Sequence, residues 1–191
     1  MIIEEKLTEM GIVLPQPVNV PPGMTVPFGW VRTLGDRAYV SGHGPLERDG
    51  TPAGPFGKVG QEVSAEQACG AARLATIAML ASLKRSLGDL DRVRAWLVVS
   101  GMVNTASNFT LTTCVMNGSS ELLLALYGPI AGMHARTAVG VAQLPLGLPV
   151  LVAAEVAIEK RPEKRESAWT AHWRETGSTD SEESQEVRRG V

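Results

Sequence analysis

Three side chains in this sequence sit where their types and spacing suit them to chemistry. Arg136 follows the stretch Gly128 to His134, which holds two glycines and a proline, and it opens an apolar run, so it would stand at the end of a strand beside loop backbone. A guanidinium there offers two parallel N–H donors to a carboxylate and fixes orientation as well as charge, where a lysine would hold only a point. The same residue could instead serve in an interfacial ion pair. His43 lies between Gly42 and Gly44. An imidazole, with an ordinary pKa of about 6.5, can donate a proton to a leaving amine or order a water, while a turn histidine equally bonds a nearby carbonyl. His134, two residues before Arg136, is a second candidate of lower rank.

Other chemistries lack their residues. The chain contains no Gly-x-Ser-x-Gly elbow, no nucleotide loop and no metal-ligand spacing. Gly50-Thr-Pro-Ala-Gly-Pro-Phe-Gly57 is glycine-rich but is not followed by the Lys-Ser/Thr of a phosphate loop, and reads as a flexible loop. The two cysteines, Cys69 and Cys114, are expected to be reduced and packed as small apolar side chains. No cofactor and no metal is expected.

With 191 residues, 44% of them apolar and 20% charged, the chain has the length and composition of one globular domain with a sizeable core. A net charge of −2 argues against a protein held on nucleic acid by phosphate contacts. The longest apolar runs, such as Leu122 to Leu126, fall far short of the roughly 20 residues of a membrane span. Glu4 and Glu5 precede any apolar stretch, the wrong order for a secretory signal, so a cytoplasmic protein is expected.

The elements that must position these residues alternate along the chain. Ile2 to Met10 reads as a short amphipathic helix closed by Gly11, followed by a proline-rich lead. Trp30 to Thr33 and Arg37 to Ser41 predict a hairpin around the three-residue turn Leu34-Gly-Asp36. Ser64-Ala-Glu-Gln67 is a capping box that opens a long helix ended by Gly88, its alanine stripe allowing close packing against a sheet. A strand over Val93 to Val99, a helix from Asn108 to Tyr127 halted by Gly128-Pro129, and strands over Arg136 to Gln143 and Val150 to Ile158 complete the set. This order predicts an α+β domain, a two-layer mixed sheet with both long helices on one face. In the last strand Leu151, Ala153 and Ala157 make the second face apolar too, with only Glu155 and Glu159 to wet it, so a second copy of the chain is the expected cover. Residues 161–191 carry 13 charges in 31 positions and are expected to form a disordered tail, with Trp169 and Trp173 spaced for one short helix.

Three segments carry a resemblance to a known family: Tyr39-Val-Ser-Gly-His-Gly-Pro45, Val115-Met-Asn117, and above all His134-Ala-Arg-Thr-Ala-Val-Gly-Val-Ala-Gln-Leu-Pro145. The chain resembles the Rid family of reactive intermediate deaminases, also called the YjgF or endoribonuclease L-PSP family, over roughly residues 25 to 160. The proline-containing lead (1–24) and the Val-x-Asn-Gly helix look closer to a less characterised branch. The resemblance implies a chorismate-mutase-like, YjgF-type fold and a homotrimer whose sheets wrap into a central barrel, with three clefts between subunits. It further implies a small carboxylate metabolite as ligand, a 2-imino acid whose hydrolysis to the 2-keto acid and ammonia is accelerated. Residue by residue, Arg136 matches the arginine that clamps the substrate carboxylate, Ser41 and Gly42 match the loop at the cleft, and Asn117 matches a helix asparagine that lines it.

The departures bear on catalysis. In deaminating members a glutamate on the last strand holds the attacking water; here, counting from Pro145, that position falls on Leu151, or on Ala153 if the turn is longer. Glu155 would substitute only if the strand shifted further, and is otherwise a solvated or interface carboxylate. Ala138 stands where a cysteine is often found and His43 where a glutamine is usual. His43, Asn117 and Glu155 are thus the candidate catalytic residues. Two functions follow, hydrolytic deamination of 2-imino or enamino acids, or a ligand-binding trimer that has lost the water-holding group. Ribonuclease activity, attached to the family by name, finds no basic stripe to support it.

Overall fold

The computed structural model describes residues 2–20, 23 and 25–160. The described residues up to 159 form one compact unit, and the expected tail with its tryptophan helix lies outside the described residues. The expected lead does not stand apart from the domain. Helix α1 (Ile2–Glu9) buries Ile3 and Leu7 in the common core, and the amides of Ile2 and Ile3 donate to the Asp91 carboxylate at 2.7 and 2.9 Å.

Strands β1 (Val31–Leu34) and β2 (Arg37–His43) form the hairpin, with Leu34 paired to Arg37, so the turn holds two residues rather than three. Gly35, at φ +61°, supplies the left-handed backbone that such a tight connection needs. Helix α2 (Ala65–Leu87) opens on the expected capping box: the Ser64 hydroxyl accepts from the Gln67 amide at 3.1 Å, and the Gln67 carbonyl oxygen accepts from the Ser64 amide at 2.9 Å. It closes on Gly88 at φ +83°.

Strand β3 (Val93–Asn104) runs five residues beyond the expected end because neighbours pair with it on both sides, β4 (Ala135–Val141) parallel and β5 (Val150–Ile158) antiparallel. Helix α3 (Thr112–Ala131) crosses over between β3 and β4; it starts four residues later than expected, and Gly128 breaks it at φ 74° ahead of Pro129. The five-stranded sheet has the order β1-β2-β5-β3-β4. No described helix is long and apolar enough to cross a membrane.

The core fills the space between α2, α3 and one sheet face. Along β5, Val150, Val152, Ala154, Val156 and Ile158 are buried, while Leu151, Ala153, Glu155 and Ala157 alternate with them on the other face and remain partly open. Tyr39, Val98 and Val139 are exposed on that second face, and cross-strand pairing sets Leu151, Met102 and Val139 in one row. The helices approach one another and the sheet through glycines. A Cβ at Gly101 would lie 2.3 Å from the Met116 sulfur, and one at Gly118 would lie 2.1 Å from the Cys69 carbonyl oxygen. Cys69 is half-buried at that crossing, but Cys114 is exposed on α3 and does not pack as expected.

Gly118→Ala should therefore push α3 off α2. Overpacking of this kind costs roughly 1–3 kcal/mol, read as a lower urea midpoint, and an unchanged midpoint would show that the crossing has slack.

Candidate functional site

Arg136 occupies the edge strand β4, paired with Val99 of β3, on the side of the sheet that α3 covers. Its Nη1 donates to the Asn117 Oδ1 at 3.1 Å and to the Ser120 Oγ at 2.9 Å, and its Nη2 donates to the Thr113 carbonyl at 3.2 Å. Residues 113, 117 and 120 recur at steps of four and three, so one face of α3 supplies all three acceptors. Three of the five guanidinium donors are thus occupied, and no carboxylate pairs with Arg136 among the described residues.

A relay behind the guanidinium fixes it further. The Gly132 carbonyl can only accept, so His134 carries its proton on Nδ1 and donates it at 2.7 Å; Nε2 then accepts from the Ser120 hydroxyl at 2.9 Å. Both ring nitrogens of His134 are satisfied in this way, which makes it a support for Arg136. Ser120, on which the arrangement turns, escaped sequence reasoning; its signal was the spacing from Asn117.

The same pattern recurs around His43. Arg85 Nη2 donates to the Ser82 Oγ at 3.0 Å, the Ser82 hydroxyl meets the His43 Nε2 at 2.8 Å, and the His43 Nδ1 meets the Ser41 carbonyl at 2.6 Å. His43 is only 1% exposed, with the Trp30 ring against it at a centroid distance of 5.0 Å. Burial, with the Arg85 charge as a smaller contribution, pushes its pKa from 6.5 down to about 4, against the opposing effect of the Ser41 carbonyl. The expectation of a proton donor at the cleft is therefore corrected: the imidazole is neutral and structural, as a turn histidine bonded to a carbonyl. A register shift between Val40 and His43 turns His43 onto the helix face, where strict alternation from Val40 would have put Gly42.

Gly42, which follows Ser41 on β2, lines a cavity of about 370 Å³. The Ser41 hydroxyl donates to the Gly29 carbonyl at 2.9 Å and its amide to the Trp30 carbonyl at 3.0 Å, which ties the preceding segment to β2. Phe28, Trp30, Gly42, Leu146, Leu148 and Leu151 line the cavity, and none of its described lining residues is charged. Leu151 is thus an apolar wall of the cavity. Glu155, two alternations further along, is ion-paired with Arg37 across β2 and β5 on the open sheet face.

One chain does not bring these residues together. Arg136 and Asn117 lie at the β4 edge and Ser41 and Gly42 on β2, three strand spacings away, or about 14 Å. Glu4, Asp89 and Asp91 are the one group among the described residues whose ligand atoms lie within 4.8 Å of one another, as a cation would need. Glu4 Oε1 takes Lys84 and the Leu90 amide, the Asp91 oxygens take the amides of residues 2 and 3, and Asp89 Oδ1 takes the amide of residue 91, which ties α1 to the α2–β3 turn, while Glu4 Oε2 is buried without a hydrogen-bond partner.

No family model matches the chain. It is 36% identical over 124 residues to Protein TCP17 of Trypanosoma cruzi, covering 65% of this chain and 76% of that protein. Among solved structures, Atu1372 of Agrobacterium tumefaciens, a protein of unknown function, is 35% identical with a TM-score of 0.72, covering 82% of this chain and 92% of that one. A Shewanella oneidensis protein for which an endoribonuclease role has been suggested is 26% identical with a TM-score of 0.73, covering 83% and 100%. Escherichia coli TdcF, solved with bound serine, shares the fold at 14% identity and a TM-score of 0.51, covering 75% and 99%.

The state of His43 is directly measurable. Its imidazole should stay neutral, as the Nδ1–H tautomer, in an NMR titration down to pH 5. Between pH 6.5 and about 4 the unfolded chain takes up a proton that the folded chain refuses, so the stability held above pH 6.5 declines as the pH falls through that window, by about 3 kcal/mol in all. A ring titrating near 6.5 would mean that the Ser82–His43–Ser41 relay does not exist.

Proposed function

The chain belongs to the YjgF/Rid family, that of the proteins named endoribonuclease L-PSP, and from that premise we propose that it binds small 2-imino and 2-keto carboxylates in clefts between the subunits of a cytoplasmic homotrimer. The half-open apolar row Leu151, Met102 and Val139 supports assembly, because burying it against other copies in a central barrel removes exposed apolar surface from water. Each cleft then joins Ser41 and Gly42 of one subunit to Arg136 and Asn117 of the next, which supplies the proximity that one chain lacks.

The observation that carries this reading is Arg136, a guanidinium fixed by α3 on three acceptors, with two donors left over and no carboxylate among the described residues to pair with. It clamps the substrate carboxylate and holds C2 of the imine toward the Ser41–Gly42 loop. Water adds to C2, the nitrogen takes up protons and departs as ammonia, and the 2-keto acid remains. TdcF, which shares the fold, is itself solved with a small amino acid bound. No described side chain offers a general base for the water: Leu151 and Ala153 carry none, Glu155 is held by Arg37, and His43 is buried. Turnover is accordingly slow, since a missing general base commonly costs about 10²–10⁴ in rate. A second reading, binding without turnover, is favoured by the apolar wall at Leu151.

Sedimentation should give three times the mass of the 20.3 kDa chain. Removing a desolvated charge partner costs roughly 2–5 kcal/mol, so Arg136→Ala should weaken 2-keto acid binding on the order of 30-fold or more by calorimetry while leaving the trimer intact. Arg136→Lys should recover part of the loss. Equal affinity of the wild type and Arg136→Ala would refute the clamp. With 2-iminopropanoate generated in situ by a lyase, weak Arg136-dependent hydrolysis is expected, and binding with no acceleration at all would establish the second reading.

A further inference from the structure

We propose that the cavity beside Gly42 and Leu151 receives the substrate's side chain, and that the preferred ligands are 2-imino and 2-keto acids bearing an aromatic or branched apolar group rather than a methyl. This rests on the clamp reading for the carboxylate end and goes beyond it for the other end.

The cavity's size is the first ground. At about 370 Å³ it falls within the range of small-molecule sites, and a methyl group would leave most of it empty. Its chemistry is the second. No charged side chain faces it among the described lining residues, where Asn19 and Thr25 are the polar side chains, and Leu151 makes its wall apolar beside Gly42, so an apolar substituent gains most by leaving water there. Phe28 and Trp30 stand in the wall edge to face, with centroids 5.2 Å apart and planes at 70°, the arrangement into which a third ring or a branched chain packs well.

The third ground is that the wall is built to keep its shape while still open. Trp30 rests on the buried His43 ring, which Ser82 fixes, and Ser41 holds the backbone of residues 29 and 30. On the opposite rim Leu146 sits at φ 58°, ψ 14°, a left-handed conformation that is unfavourable for a leucine by roughly 1–2 kcal/mol. Leu146 is 49% exposed and Phe28 54% exposed, and both line the cavity. Two apolar side chains held open at one cavity mouth have most to gain from a ligand's apolar group.

Calorimetry of the full chain with pyruvate, 4-methyl-2-oxopentanoate and phenylpyruvate tests this. The latter two should bind at least about tenfold more tightly than pyruvate, given roughly 0.8 kcal/mol for each buried methylene. Phe28→Ala, a change at an exposed position that leaves the core untouched, should narrow that gap to about threefold or less. Arg136→Ala should weaken all three alike. Equal affinities in the wild type, still lowered by Arg136→Ala, would overturn the cavity assignment and leave the clamp standing, with the cavity then covered by another subunit. A retained preference for phenylpyruvate that is indifferent to Arg136→Ala would uphold the cavity and overturn the clamp. Absence of binding by all three would overturn both.

Discussion

Two helices cover one face of a five-stranded sheet and no more, and in this chain both faces are apolar. The helix-covered face takes the alternating valines and isoleucine of β5, and α2 and α3 close over it at glycine crossings tight enough to exclude a methyl group. The opposite face repeats the pattern with Leu151, Met102 and Val139 and receives no cover from the described part of its own chain. That imbalance accords with the proposed site, whose two halves lie on different parts of the sheet. The β4 edge presents Arg136, the β2 side presents Ser41, Gly42 and the cavity, and the proposed assembly satisfies the bare face and the divided site by the same contacts.

Two Arg–Ser–His chains of hydrogen bonds show how location decides what one chemistry does. Arg85, Ser82 and His43 repeat the bonding of Arg136, Ser120 and His134, each histidine ending on the carbonyl two residues before it. Around His43 the pattern is buried under Trp30 and stiffens the wall of a cavity. Around His134 it ends at an edge strand, where a guanidinium still has donors to offer. In each case the imidazole is hydrogen-bonded to a hydroxyl, and that hydroxyl accepts from the arginine.

Much of this was legible in the sequence. The Ser64 capping box, the Gly88 and Gly128 stops, the alternation of β5 and the exposure of its second face all follow from local rules that the packing leaves intact. The placement of His43 was not legible, because period-two reasoning assumes a regular ladder and the shift between Val40 and His43 reverses the faces. The length of β3 escaped for a related reason: Ser100 and Gly101 are poor strand formers alone and are held by partners on both sides. Ser120 looked like one more small helix residue, and only the position of β4 beneath α3 makes it an acceptor for Arg136.

The edge strand that carries Arg136 has a consequence for how such a chain comes to be made. Among the described residues, β4 pairs with β3 along one side only, and its other side leaves the outward-turned backbone groups of a seven-residue strand without a strand partner, the single charge, Arg136, being turned in under α3. The opposite edge, β1, is short and exposes Arg32 and Thr33 to discourage pairing. A newly folded, unassembled copy therefore offers β4 as a template to any extended chain it meets. On the proposed assembly, its solubility during synthesis would depend on how quickly copies find one another, which would tie yield to the rate of subunit encounter as well as to the stability of the fold.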